Sequence, residues 1–412
     1  MAGTVIVPRH DDHTMRLIHT SDWHLGRTLH GESLLEHAAG FLDWLLAVAT
    51  GRGADAVVVA GDVYDRAVPP PDAVALLDAA LTAFARARIP VIMISGNHDS
   101  AVRLGFGSGL SEAAGIHLRT QAGDVARPVV LTDDAGPVAV YGIPYLLPDA
   151  AAPALGAERS HASVLAAAAG LIHADAAARG IGRVVIAAHA FITGGAACES
   201  ERDIRVGGIG DAPASVFGPA TYIALGHLHG PQLVSTAASG TGTGAAGGGG
   251  TVARYSGSPL AFSFSERDQR KSVTVVDIDG AGRVTTELVP APVPRPLREV
   301  RGPIDDLLGR AETDLAELAE AWVKVVLTDP VRPPAPMERL RAKWPHTLML
   351  DFAPEGGLVS PESDLRALAQ AADPIEICGL FVAYAGGGPP GAAEQLVLRD
   401  AVEAAQRAEA LA

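Results

Sequence analysis

Residues 19–27 read His19-Thr20-Ser21-Asp22-Trp23-His24-Leu25-Gly26-Arg27, directly after the apolar run Met15-Arg16-Leu17-Ile18. A short strand over 16–20 that ends on a carboxylate and an imidazole two positions apart suits an open α/β fold. Such folds gather ligands beyond the carboxyl ends of their strands. The same arrangement recurs along the chain. A run over 56–60 ends in Gly61-Asp62, and one over 90–95 in Gly96-Asn97-His98-Asp99. A run over 184–188 ends in His189, and one over 222–225 in Gly226-His227-Leu228-His229. Residues 138–142 form a further strand run. All these runs are short and mainly apolar, as expected of strands buried on both faces. Between the first two lie Leu34, Leu35, Ala38, Phe41, Leu42, Leu45, Leu46 and Ala49, which form one helical stripe.

Strand patterns continue at 252–255, 272–277 and 284–288 without intervening helices, and predict a second sheet packed on the first. Residues 239–250, SGTGTGAAGGGG, predict a mobile hairpin loop; they lack the Lys-Ser/Thr ending of a phosphate-binding loop. PAPVPRP at 290–296 predicts a stiff linker and a domain boundary. The expected organisation is a disordered extension over 1–14 and an α/β two-sheet sandwich flanked by helices over 15–289. A small α/β domain over 297–354 follows, with strand, helix (304–319), strand, helix and strand, and then helices over 374–412.

The length of 412 residues suits two or three domains. With 48% hydrophobic and 19% charged residues the chain is globular. A net charge of −15 excludes a pervasive basic surface, so any nucleic-acid role needs positive charge supplied locally, by a metal or by a partner. Two cysteines, Cys198 and Cys378, exclude a disulfide framework and a cysteine zinc site, and are expected to be inert. No run reaches the ~18 apolar residues of a membrane span, and the N-terminus has no signal-peptide core. A reduced cytoplasmic setting is the expectation.

Two carboxylates, an amide and several imidazoles at neighbouring strand ends offer mixed oxygen and nitrogen ligation without thiolate. That set suits two divalent cations ~3.5–4 Å apart, bridged by a carboxylate such as Asp62, and the hydrolysis of a phosphoester.

HTSDWHLGR, VVVAGDVYD, ISGNHDS, the isolated Ala187-Ala188-His189 and ALGHLH resemble the motifs of the calcineurin-like metallophosphoesterases. With GSPLAFSFSE after the Gly-rich loop they are closer still to the SbcD branch, the nuclease subunits of bacterial SbcC–SbcD complexes. The resemblance implies a first metal on Asp22, His24 and His229 and a second on Asn97, His189 and His227. Asp62 bridges them, and manganese is the family's preference. It implies a catalytic His98 oriented by Asp99, with no catalytic role for Asp65. Arg27 and Arg66, and more remotely His30 and Arg205, are candidate DNA contacts. Trp23, Trp322 and Trp344 are expected to be packing residues.

It further implies an exonuclease and endonuclease acting on DNA ends and hairpins in repair, recombination and replication, nucleoid-associated when acting. The implied partners are a coiled-coil SbcC-type ATPase in a heterotetramer, an SbcD homodimer and a capping domain over the cleft. Ile375, Leu380, Phe381, Tyr384, Leu396, Val397 and Val402 are the residues spaced for partner docking. The rival readings are a stand-alone phosphoesterase on a small ester and a non-catalytic scaffold. The cap and terminal helices argue against the first, and His98, superfluous in a structural site, against the second.

Overall fold

A computed structural model describes residues 14–201, 212–236, 250–354, 374–386 and 390–409. The expectations for residues 1–13 and for Arg205 fall outside that set, as does most of the Gly-rich loop. The chain divides into two compact units, Met1–Pro294 and Arg295–Ala412.

The first unit is built on β1 (Met15–Thr20), β2 (Thr28–Leu29), β3 (Glu32–Ser33), β4 (Ala56–Ala60), β5 (Val91–Ile94), β6 (Ile116–Arg119) and β7 (Val129–Asp133). It continues with β8 (Gly136–Ile143), β9 (Arg183–His189), β10 (Tyr222–Gly226), β11 (Gln232–Val234), β12 (Val252–Tyr255), β13 (Ser272–Ile278) and β14 (Val284–Pro290). Two six-stranded sheets result, in the orders β14-β13-β1-β4-β5-β6 and β11-β12-β10-β9-β8-β7. Each has four parallel strands, β1-β4-β5-β6 and β12-β10-β9-β8, flanked by antiparallel strands. This corrects one expectation. The strands at 252–255, 272–278 and 284–290 do not make a sheet of their own. β12 extends the second sheet beside β10, while β13 and β14 close the open edge of β1 in the first.

Between the sheets lies an apolar layer that includes Leu17, Val58, Ile92, Val140, Val185, Tyr222, Ala224 and Val276. The far face of the second sheet packs Tyr141, Ile186, Ile223 and Tyr255 with Leu165, Ala168 and Ile172 of the helix His161–Arg179. The helix Leu35–Gly51 buries Ala38, Phe41, Leu42, Leu45 and Ala49, the predicted stripe. Trp23 is packing support as expected: its Nε1 donates to Thr20 Oγ1 at 3.0 Å and its ring meets Phe41 edge-on.

The second unit carries a parallel sheet of β15 (Leu297–Gly302), β16 (Trp322–Leu327) and β17 (Thr347–Phe352). Its core joins Leu307, Val323, Val325, Leu327, Leu340 and Trp344. The helix expected over 304–319 is broken. It stops at Gly309, a turn intervenes, and a 3-10 segment, Ala316–Glu320, leads into β16. Gly309, a poor helix former, favours a break there. Two helices, Pro374–Gly386 and Ala392–Glu409, follow. Among the described residues no helix is long and apolar enough to cross a membrane.

The sheets meet most tightly where Gly226 of β10 faces the Ala60 carbonyl of β4, and a Cβ there would overlap that oxygen. Gly226→Ala should therefore cost about 1–3 kcal/mol by overpacking. Gly40→Ala, on an exposed helix position with open space around it, should stabilise by roughly 0.5–1 kcal/mol. Denaturant melts of the two variants check both signs.

Candidate metal centre

The residues at the carboxyl ends of β1, β4 and β5 meet those ending β9 and β10. Backbone bonds from Asp22 N to Gly61 O (2.9 Å) and His24 N to Asp62 O (3.0 Å) zip the loops after β1 and β4 together. The amide of His227 donates to Asp22 Oδ1 at 3.0 Å, tying the second sheet to the first. Four of these residues, Asp22, His24, Asp62 and His227, have φ between 45° and 111°. That left-handed region is costly for residues other than glycine, and such strain persists only where the surroundings impose it.

Asp62 stands between two imidazole groups. Its Oδ1 accepts from the His98 amide at 2.8 Å. Its Oδ2 lies 3.7 Å from His24 Nε2 and 3.4 Å from His189 Nε2. On one side His24 Nε2 and His229 Nε2 are 3.2 Å apart, with Asp22 close by. On the other, Asn97 Oδ1 lies 2.9 Å from His189 Nε2 and 3.1 Å from His227 Nδ1. All seven sequence-derived ligand candidates thus come together as two groups sharing Asp62.

The hydrogen bonds decide which ring nitrogens carry protons. His189 Nδ1 must donate to the Ala60 carbonyl at 2.9 Å, because a carbonyl only accepts. The lone pair of a neutral His189 is then on Nε2, aimed at two further acceptors, Asn97 Oδ1 and Asp62 Oδ2. Ser200 donates to Glu266 Oε1 at 2.5 Å and so accepts from His229 Nδ1 at 2.8 Å. The lone pair of His229 is therefore on Nε2, facing His24. Acceptors converging on acceptors need positive charge between them, supplied by a proton on the imidazole or by a metal ion. The donor set fits divalent metals held by Asp22, His24 and His229, and by Asn97, His189 and His227, with Asp62 between.

The electrostatics carry the same demand. Burial alone would push His189 down, but Asp62 and Asp22 lift it to about 9. His229 likewise rises to about 9 against burial, through contacts with Cys198 and Glu266. Burial and the neighbouring His189 hold His227 down at about 3, and burial holds His24 well below the usual imidazole range. Burial raises Asp22 to about 6, whereas for Asp62 the imidazoles of His189 and His24 more than offset burial and lower it.

His98 is oriented by its Nδ1–H, which donates to the Asp65 carbonyl at 2.7 Å. This corrects the role expected of Asp99. Its carboxylate instead accepts from the amides of Val63 (3.0 Å), Tyr64 (2.8 Å) and Gly96 (2.9 Å), clamping the loops after β4 and β5. Burial lifts Asp99 to about 7 despite those bonds. Asp65, given no role from sequence, positions His98 through its backbone. Its carboxylate lies 3.6 Å from His24 Nδ1 and 3.4 Å from Arg27. A pocket of about 330 Å³ beside the cluster is lined by Arg27, Thr28, Asp65, His98 and Ser200. The Arg27 guanidinium lies 4.8 Å over the Phe262 ring, while the Arg66 side chain is 61% exposed. His30 serves as a turn residue (φ 48°) with its ring against Phe264.

Sequence reasoning missed the support beneath His229. Its amide donates to Glu201 Oε1 at 2.6 Å. Buried Lys271 donates to the His229 carbonyl (3.0 Å) and to Ser258 Oγ (2.9 Å), and pairs with buried Glu266. Cys198 is not inert packing either: its Sγ meets Glu201 Oε1 and Ser200 Oγ, each at 3.2 Å. The available signal was the polar ending of GSPLAFSFSE followed by a basic pair at 270–271.

Residues 15–148 match the calcineurin-like phosphoesterase family, and residues 293–380 match the type 5 capsule protein repressor C-terminal domain. The SbcD chain of the Bacillus subtilis nuclease SbcCD is 36% identical over 64% of this chain and 66% of its own length. The chain thus matches just under two thirds of that relative. The SbcD chain of the Staphylococcus saprophyticus nuclease SbcCD is 30% identical over 82% of this chain and 84% of its own. A solved structure, the sulfate thiohydrolase SoxB from Thermus thermophilus, is only distantly similar (13% identity, TM-score 0.37, 69% of this chain and 57% of that one).

Two outcomes follow for the centre. Removing the carboxylate behind His229 with Glu266→Gln should weaken one class of bound Mn²⁺ by roughly 10–100-fold and leave the other near wild type. Mn²⁺ titration followed by electron paramagnetic resonance reads both classes. His189 and His229 hold protons up to a pH of about 9, and a ligating nitrogen must lose its proton. Metal affinity should therefore rise from neutral pH towards about 9, with protons released on binding, as calorimetry in buffers of different ionisation enthalpy will show.

Proposed function

Because the chain belongs to the SbcD family of nuclease subunits and is a hydrolase of the metallophosphoesterase type, we propose that it cleaves phosphodiesters in DNA ends and hairpins with two divalent ions, manganese foremost. The observation that carries this reading is Asp62 Oδ2 lying between His24 and His189, the geometry of a bridging carboxylate. When bound, the ions would polarise the phosphate and generate a hydroxide nucleophile at neutral pH.

The chain's own residues supply the rest. His98, held through Nδ1 by the Asp65 carbonyl, has Nε2 as the ring nitrogen whose protonation changes, and it protonates the leaving oxygen. Arg27 is the arginine proposed to hold a phosphate, a reading supported by its position over Phe262 on the wall of the His98 pocket. Arg66 is a lesser contact, solvated on the surface. Asp99 keeps the loops bearing Asp62 and His98 in register.

The partners proposed are an SbcC-type coiled-coil ATPase and a second copy of this chain. Phe381, Leu396 and Val397 on the two last helices stay exposed, which supports a docking role there. The domain over 297–354 acts as the cap. A net charge of −15 predicts weak, salt-sensitive grip by this chain alone, with the ATPase supplying most of the affinity.

His98→Ala should lower Mn²⁺-dependent cleavage of hairpin or blunt duplex DNA by roughly 10²–10⁴-fold with metal content retained. Full wild-type hydrolysis of a small aryl phosphate with none of DNA would overturn the nuclease reading.

A further inference from the structure

The two halves of the metal centre differ in what borders them. His24 and His229 of the first group meet Phe262 edge-on, with ring centroids 5.0 and 5.2 Å away, and His98 lies 4.6 Å from His24. Arg27 and His98 line the pocket on that side. Against the second group the described ring contacts are Tyr145 on His189, at 6.4 Å and 87°, and Phe191 on His227, at 6.2 Å and 82°. Both rings are half-buried. Of the two, Tyr145 alone carries a hydrogen-bond donor.

Local structure fixes Tyr145 in that place. It lies two residues beyond β8, and its amide donates to the Ser95 carbonyl at 2.8 Å, directly before the turn that carries Asn97. Pro144 before it has a fixed φ, and Leu146 after it is buried in the core on the far face of the second sheet. Besides His189, its ring meets that of His161 at 5.9 Å.

A partly buried phenol usually finds a partner. The hydroxyls of Tyr141, Tyr222 and Tyr255 are bonded to Asp175, His19 and the Ala190 carbonyl. The Tyr145 hydroxyl has no such bond among the described residues and is open to solvent. Burial and, after it, the Asp62 carboxylate raise the phenol above its ordinary value. The hydroxyl therefore lies in the field of Asp62 and stays protonated, as a donor.

We propose that Tyr145 is a further catalytic residue of this centre, its phenol donating a hydrogen bond to a non-bridging oxygen of the scissile phosphodiester on the His189 side. No proton is transferred. Charge builds on those oxygens in the transition state, and a donor fixed beforehand by the fold needs no reorganisation to meet it. Arg27 and His98 serve the His24 side. This assignment rests on the reading that the centre cleaves phosphodiesters.

The test uses the full chain loaded with Mn²⁺ and three probes: hairpin DNA, bis-para-nitrophenyl phosphate (a diester without bases) and inorganic phosphate. Tyr145→Phe keeps the ring against His189 and removes the donor. The expected result is a loss of roughly 10–100-fold in kcat/KM on both diesters. Calorimetry should show inorganic phosphate binding about tenfold more weakly, while electron paramagnetic resonance shows both classes of Mn²⁺ at wild-type affinity. Should the chain cleave the small diester and not DNA, the nuclease reading fails, yet the same loss on the small diester still supports Tyr145. Wild-type kcat/KM and phosphate affinity in Tyr145→Phe, with loss only in Tyr145→Ala, would assign the ring to packing and overturn the proposal while leaving the nuclease reading in place.

Discussion

The rest of the first unit is arranged around one electrostatic demand. Imidazole lone pairs and carboxylate oxygens converge, buried, where the two sheets meet, and no described lysine or arginine side chain is placed among them. Taking charged oxygens out of water is expensive unless opposite charge is supplied. Here it comes either from protons, which is why His189 and His229 are lifted to about 9, or from divalent cations. The bonds His189–Ala60, His227–Asp22 and His229–Ser200–Glu266 point each remaining lone pair inward. The protein thus fixes ligand direction before a metal arrives.

The backbone meets a related cost. Ligands leave their strands at sharp turns, and Asp22, His24, Asp62 and His227 adopt φ values normally left to glycine. Gly96 and Gly226 permit this, since a Cβ at the first would overlap Asp62 and at the second Ala60. The Asp99 carboxylate, accepting three amides, holds the loops after β4 and β5 in this state. The network behind His229 does the same for the turn after β10, with Lys271 on the His229 carbonyl and Glu201 on its amide.

The strand-end motifs were legible in the sequence because a buried strand and its terminal ligand are adjacent residues. The gathering of ligand-type residues at strand ends, the helical stripe from Leu34 to Ala49 and the packing roles of Trp23 and Trp344 followed from such local patterns, whereas the division of the ligands into two groups came from the family resemblance. Strand partnership did not, because 252–255 and 272–278 look alike locally and separate according to which sheet edge stays open. Asp99 was misread since sequence proximity to His98 says nothing of side-chain direction. In the tight turn its carboxylate faces the neighbouring amides while the imidazole faces Asp65. Glu266 and Lys271 were missed because they lie far from His229 along the chain and reach it only through the fold. The acidity of the whole chain was legible, but its meaning is local: divalent ions held at the centre would make an acidic protein cationic at that one place.

The central claim is that Asp62 joins two metal positions into one centre. Diffraction from Mn²⁺-loaded crystals at the manganese absorption edge tests it most directly. The account predicts two anomalous peaks about 3.5–4 Å apart on either side of Asp62 Oδ2. One of them should contact Asp22, His24 and His229, and the other Asn97, His189 and His227. A single peak, or two peaks too far apart to share that oxygen, would contradict it.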